Sequence, residues 1–157
     1  MTEAEWLESE DPHQLLAYLK VSLEDRRTFL LTVACFRRHW DRLPEAGRAF
    51  TRLAEAAAEG KATRQELDDA FDGLEEAMNE LGPPSEFAAL LDLAYGMWQS
   101  DAWPVLAESD RGEDKSWRPE RRAQADLVRR IFGNPMQVAD VRDQNTAPGA
   151  AADRPRE

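Results

Sequence analysis

One cysteine and two histidines are all that this 157-residue chain offers toward thiol or imidazole chemistry. A lone Cys35 forms no internal disulfide and fits a reducing compartment. Glycine is scarce too, 8 in all, with Gly60, Gly82 and Gly133 where helices should end. No G-x-G-x-x-G, Walker A, G-x-S-x-G or H-E-x-x-H pattern occurs, so phosphate-cradling loops and the common hydrolytic sites have no support. Positive charge is in deficit: 20 Lys+Arg face 31 Asp+Glu, for a net charge of −11. That excess argues against a general nucleic-acid binder, which needs a basic surface to release counterions from phosphates. It also argues against docking on an anionic membrane leaflet. The longest strongly apolar run, FLLTVACF from Phe29 to Phe36, is far short of the roughly 20 residues a bilayer needs. The start, MTEAEWLESEDP, is acidic and lacks the apolar stretch of a secretory signal. The expected location is cytoplasmic, with no membrane attachment. Strand-like alternation and internal repeats are absent as well.

What is present is helix punctuation. Apolar residues make up 42%, enough for a core. Thr2 and Glu5 have capping-box spacing and predict a short helix through Glu8. Asp11-Pro12 predicts a second, over His13–Lys20. Ser22 and Asp25 suit a third start, with a long helix expected to about Arg42. Pro44 opens a fourth, which Gly60 ends as a C′ residue. Thr63 and Glu66 form another capping box, and Leu67, Phe71, Leu74, Met78 and Leu81 follow in 4-3-4-3 spacing. Ser85 can cap the next helix, through Trp98. Asp101–Trp117 reads as a polar loop. Pro119 opens a last helix to about Phe132, where Gly133 is expected in the left-handed C′ position and Asn134-Pro135 turns the chain out. The fold class is therefore all-α: a single-domain bundle of five to six helices over residues 1–140, with a disordered polar tail over 141–157.

The third helix holds the first candidates. Phe29, Val33, Phe36 and Trp40 form one apolar arc, and Leu23, Leu30 and Ala34 a second. Arg26 and Arg37 fall in the gap between them. Such arginines must meet a carboxylate or carbonyls, or snorkel outward; otherwise they offer an anion site. The opposite side carries Thr28, Thr32, Cys35 and His39. Cys35 and His39 are i, i+4, a spacing that can share a zinc ion, but further ligands are missing. A Cys-His nucleophilic pair lacks an orienting group and oxyanion donors. The expectation is a partly buried thiol, an ordinary histidine, no metal and no cofactor.

Charge is segregated along the chain. Arg64–Leu81 holds seven acids and one base, net −6, whereas Lys20–Arg42 and Arg118–Arg130 are each net +3. Asp68, Asp69, Asp72, Glu75 and Glu76 form a candidate acidic docking face for a basic partner. The alternatives are a solvated face, or pairing with the basic helices inside the bundle. Of five tryptophans, Trp40 and Trp98 sit on apolar faces and read as core. Trp103 and Trp117 flank the polar loop and would mark a partner site if exposed.

Three stretches carry a resemblance: MTEAEWLESEDP, TVACFRRHW at Thr32–Trp40, and ADLVRRIFGNP at Ala125–Pro135. With the AEGKAT linker at Ala58–Thr63, they resemble an uncharacterised bacterial family common in planctomycetes. Its members begin MTEAEWL…DP, carry an ACCRR-I/V-W helix and continue to an L-x-R-D-IFGNP segment. The resemblance spans most of residues 1–138 and implies no activity, substrate or cofactor. Phe36 stands where the family has a second cysteine, which further weakens a metal or redox reading.

Two functions follow. The favoured one is a non-enzymatic helical interaction or regulatory module, bound to a protein with a basic surface or to itself. The other is an enzyme or small-ligand domain with an anion pocket near Arg26, Arg37 and His39.

Overall fold

The computed structural model describes residues 1–22, 25–81, 85–98 and 117–137, with the backbone alone for 85–86 and 97–98. Four described helices begin where a side chain supplies an acceptor. Thr2 Oγ1 accepts from Glu5 N at 3.1 Å and Glu5 Oε2 accepts from Thr2 N at 2.8 Å, which starts α1 (Glu3–Glu8). Asp11 Oδ1 accepts from His13 N at 2.9 Å, and Pro12 holds the first position of α2 (Pro12–Leu19). Asp25 caps α3 (Arg26–Arg37) through Arg27 N at 2.9 Å. Pro44 precedes α4 (Glu45–Ala58), and the Thr63–Glu66 box opens α5 (Arg64–Glu80). α6 (Ser85–Trp98) and α7 (Arg118–Phe132) complete the set. The protein is all-α; the described residues hold seven α-helices, the short α1 adding to the five or six expected, and no strand.

α3 is central and packs against α4, α6 and α7; α5 lies along α4. α3 and α4 run antiparallel: Arg26 at the start of α3 meets Ala58 at the end of α4, and the Phe36 and Phe50 rings pack at 5.5 Å. Trp6, Leu15, Leu31, Phe36, Phe50, Leu67, Leu74 and Leu90 are fully or almost fully buried. Their burial supplies about 1.5–3 kcal/mol of transfer free energy each.

Several expectations are corrected. The third helix stops at Arg37 rather than Arg42, and a separate 3-10 turn follows over Trp40–Arg42. Pro44 disfavours helical backbone at Leu43, which is extended (φ −71°, ψ 140°). Arg48 secures the break by donating to the Trp40 carbonyl at 3.0 Å and the Asp41 carbonyl at 3.3 Å. Trp40 is not core. It is half-buried at the core's edge, under the guanidinium groups of Arg37, Arg52 and Arg48 at 4.7, 5.3 and 5.6 Å. Gly133 has the expected positive φ, 76°, but its ψ of −179° lies outside the left-handed helical basin, and it is the C-cap rather than C′. Residues 135–137 are helical again, with Asn134 Oδ1 accepting from Met136 N at 2.9 Å. Of the loop expected over 101–117, residues 101–116 lie outside the described residues, as does the tail over 141–157. No described helix is long and apolar enough to cross a membrane.

Candidate functional site

Arg26, Arg37 and His39 do not converge. Arg26 Nε donates to the Ala58 carbonyl at 2.9 Å, satisfying a carbonyl at the end of α4. Arg37 is exposed, donates to Glu55 Oε2 at 2.7 Å and lies over Trp40. Exposed pairs of this kind contribute little stability. His39 is turned the other way, into the protein.

The stripe Thr28, Thr32, Cys35 and His39, read from sequence as the side opposite the apolar arcs, is buried throughout. α3 is covered on more than one side, so its polar stripe also needs partners. Thr32 Oγ1 returns to the Thr28 carbonyl at 3.1 Å. His39 Nε2 lies 2.7 Å from Glu120 Oε2, and Arg38 donates to the same oxygen at 2.6 Å. Gln124 Nε2 donates to Glu120 Oε1 at 3.2 Å. The other imidazole nitrogen, Nδ1, meets Arg42. A guanidinium only donates, so the Arg42 contact places Nδ1 as the acceptor and Nε2 as the donor to Glu120. Both ring nitrogens are thus engaged, and neither is available as a base for Cys35. Burial, with the Glu120 charge, pushes the Cys35 thiol well above its ordinary range, against a smaller lowering by Arg38. The cluster is a structural polar network, not a nucleophilic pair.

A second buried charge, Arg121, was not singled out in the sequence. It lies 3.6 Å from both Asp11 Oδ2 and Asp92 Oδ2 and faces the Trp117 ring at 4.9 Å. Burial lowers the Arg121 pKa and raises that of Asp11, each opposed by the charge of the other. Trp117 is half-buried and, with Ser9, Glu10, Gln14 and Arg118, lines a cleft of about 500 Å³. The cleft's buried arginine already has two carboxylates beside it. Trp103 lies outside the described residues, as does the side chain of Trp98. No sequence signal separates Glu120 and Arg121 from the other charges of their helix. Only packing against α2, α3 and α6 does so.

The acidic candidates are placed most simply. Asp69, Asp72, Glu75 and Glu76 are exposed on α5, and Asp68 is half-buried. α5 packs on α4 and more lightly on α6, and has no comparable packing against the basic α3 or α7. Among the described contacts, Asp69 accepts from Gln65 of its own helix at 2.9 Å, and no described ion pair neutralises Asp72, Glu75 or Glu76. A groove runs between α5 and α6. Phe71, Leu91, Ala88 and Tyr95 form its floor, and two adjoining hollows of about 430 and 250 Å³ share Phe71, Glu75 and Tyr95. No described group of three or more His, Cys, Asp or Glu is placed to hold a metal ion.

No family model, curated protein or solved structure matches the chain.

Proposed function

We propose that this protein is a helical interaction module that presents α5 to a basic protein partner. The observation that carries the reading is that the −6 helix faces solvent instead of the +3 helices of its own bundle. This arrangement costs stability. Asp69, Asp72, Glu76 and Glu80 are like charges at i, i+3 or i, i+4 spacing, each pair unfavourable by a few tenths of a kcal/mol. Glu76 and Glu80 also lie toward the helix's negative end, where no basic residue stands in the last turn. Solubility alone is served by mixed charges. A one-sign face steers a partner of opposite sign and sets its orientation.

The test is affinity capture from lysate with the full chain and with a D69K/D72K/E76K variant. A specific partner set is expected from the wild type, lost with the variant and in about 0.5 M salt. An unchanged set with both proteins overturns the reading. Thermal melting establishes that the variant is folded.

A further inference from the structure

We propose that the groove between α5 and α6 is the seat of one amphipathic, basic helix of the partner protein, which sharpens the reading above and rests on it. α5 packs closely on α4 but only lightly on α6, so the two helices leave a channel between them. The channel is lined along α5 from Gln65 to Asn79, about 21 Å at 1.5 Å per residue, the length of four helical turns.

Two chemistries run side by side along it. The floor is apolar: Phe71 and Leu91 are half-buried, and Tyr95, 39% exposed, stands on the α6 side. The rim on α5 is acidic: Asp68, Asp69, Asp72 and Glu75 line the same hollow. Asp68 adds a particular feature. Its Oδ1 is buried at the channel with no hydrogen-bond donor among the described residues. A buried carboxylate oxygen without a donor is costly, and a lysine or arginine arriving along the rim would offset that cost.

A purely cationic strand would leave the floor unused, and a purely apolar helix would desolvate the acids. An amphipathic helix with apolar anchors at i, i+3 or i+4 and i+7, and Lys or Arg along one flank, satisfies both. Tyr95 is the expected anchor contact, since tyrosine joins a large apolar area to a hydrogen-bonding end.

The probe is a fluorescein-labelled Leu/Lys peptide of about 16 residues with amphipathic helical spacing. Its control is an isomer of the same composition with the spacing scrambled. Fluorescence anisotropy with the full chain at about 0.15 M salt should show the amphipathic peptide binding about tenfold more tightly than the isomer. Tyr95→Ala and Asp72→Lys, both at exposed positions, should each weaken it about tenfold. Glu8→Lys, the same charge change on α1, should leave it unaltered. Equal binding of the two peptides, with Glu8→Lys weakening as much as Asp72→Lys, overturns the groove and leaves the broader acidic-face reading to the capture experiment. Absence of peptide binding overturns the groove as well. A dimer in light scattering that Tyr95→Ala dissolves overturns it in favour of a second copy of this chain.

Discussion

Cys35 shows how a side chain's chemistry is set by its surroundings. Apolar neighbours and the Glu120 charge hold its thiol protonated, so a native thiol should resist Ellman's reagent at pH 8 and react only when urea unfolds the chain. The same shift carries a pH signature. In the unfolded chain the thiol ionises near its ordinary 9.0, whereas in the native protein it keeps its proton. Above pH 9 the unfolded state therefore binds fewer protons, and stability falls as pH rises, by about 1.4 kcal/mol per pH unit for one proton. Urea midpoints from pH 8 to 10.5 should decline more steeply for wild type than for Cys35→Ala; parallel declines would show that the native thiol ionises normally. Glu120 makes a second residue-scale case. It accepts from His39, Arg38 and Gln124, so Glu120→Ala should cost about 3 kcal/mol. Glu120→Gln, which keeps an acceptor, should cost less. Equal losses in chemical denaturation would mean that the charge, not the acceptor, matters.

Among the elements, helix ends carry the information. Gly60 has φ +74°; its N–H bonds the Ala57 carbonyl at 3.0 Å while Lys61 N–H bonds that of Ala56 at 2.8 Å. This is the Schellman arrangement. A Cβ at Gly60 meets nothing within 4 Å, so Gly60→Ala should lose about 1 kcal/mol purely from backbone conformation. Gly73 has the same open space but sits inside α5, where Gly73→Ala should gain about 0.5–1 kcal/mol. Thermal melts that move in the same direction for both would contradict this account. Arginines finish other ends from a distance. Arg129 on α7 donates to the Trp6 carbonyl at 2.9 Å and to that of Ser9, tying α1 to a helix 120 residues further on. Asn134 adds a bond to Glu3 at 3.0 Å. The first and last described stretches of the chain thus meet in space.

For the whole molecule, charge placement outweighs the net count. Much of the positive charge works internally: Arg26, Arg48 and Arg129 hold carbonyls, and Arg38 and Arg121 are placed against carboxylates. The negative charge of α5 is left to solvent. Glu76→Lys relieves repulsion with Asp72 and Glu80 and places a base near the helix's negative end. It should raise stability by about 0.5–1 kcal/mol, with a larger gain in low salt than at 0.5 M. A Tm unchanged in low salt would mean that the acids do not repel as argued.

Local signals were read directly. The capping boxes at Thr2 and Thr63, the Asp11-Pro12 start, the Gly60 stop and the all-α class follow from short-range hydrogen bonding and from a 3.6-residue apolar period, both properties of neighbouring residues. The pairing of residues far apart in sequence was not legible. Nothing near Glu120 announces that it will be buried against His39, 81 positions away, or that Arg121 will lie between Asp11 and Asp92. Helical periodicity gives one preferred inward face. A helix covered on more than one side, as α3 is, turns a polar stripe inward as well, and the partners for that stripe come from other helices. Neighbouring residues alone fix where helices start and stop and that α5 is acidic. Which charges are buried, and that the acidic face is turned to water, follows from the packing of distant helices, because burial is a property of what packs against a residue.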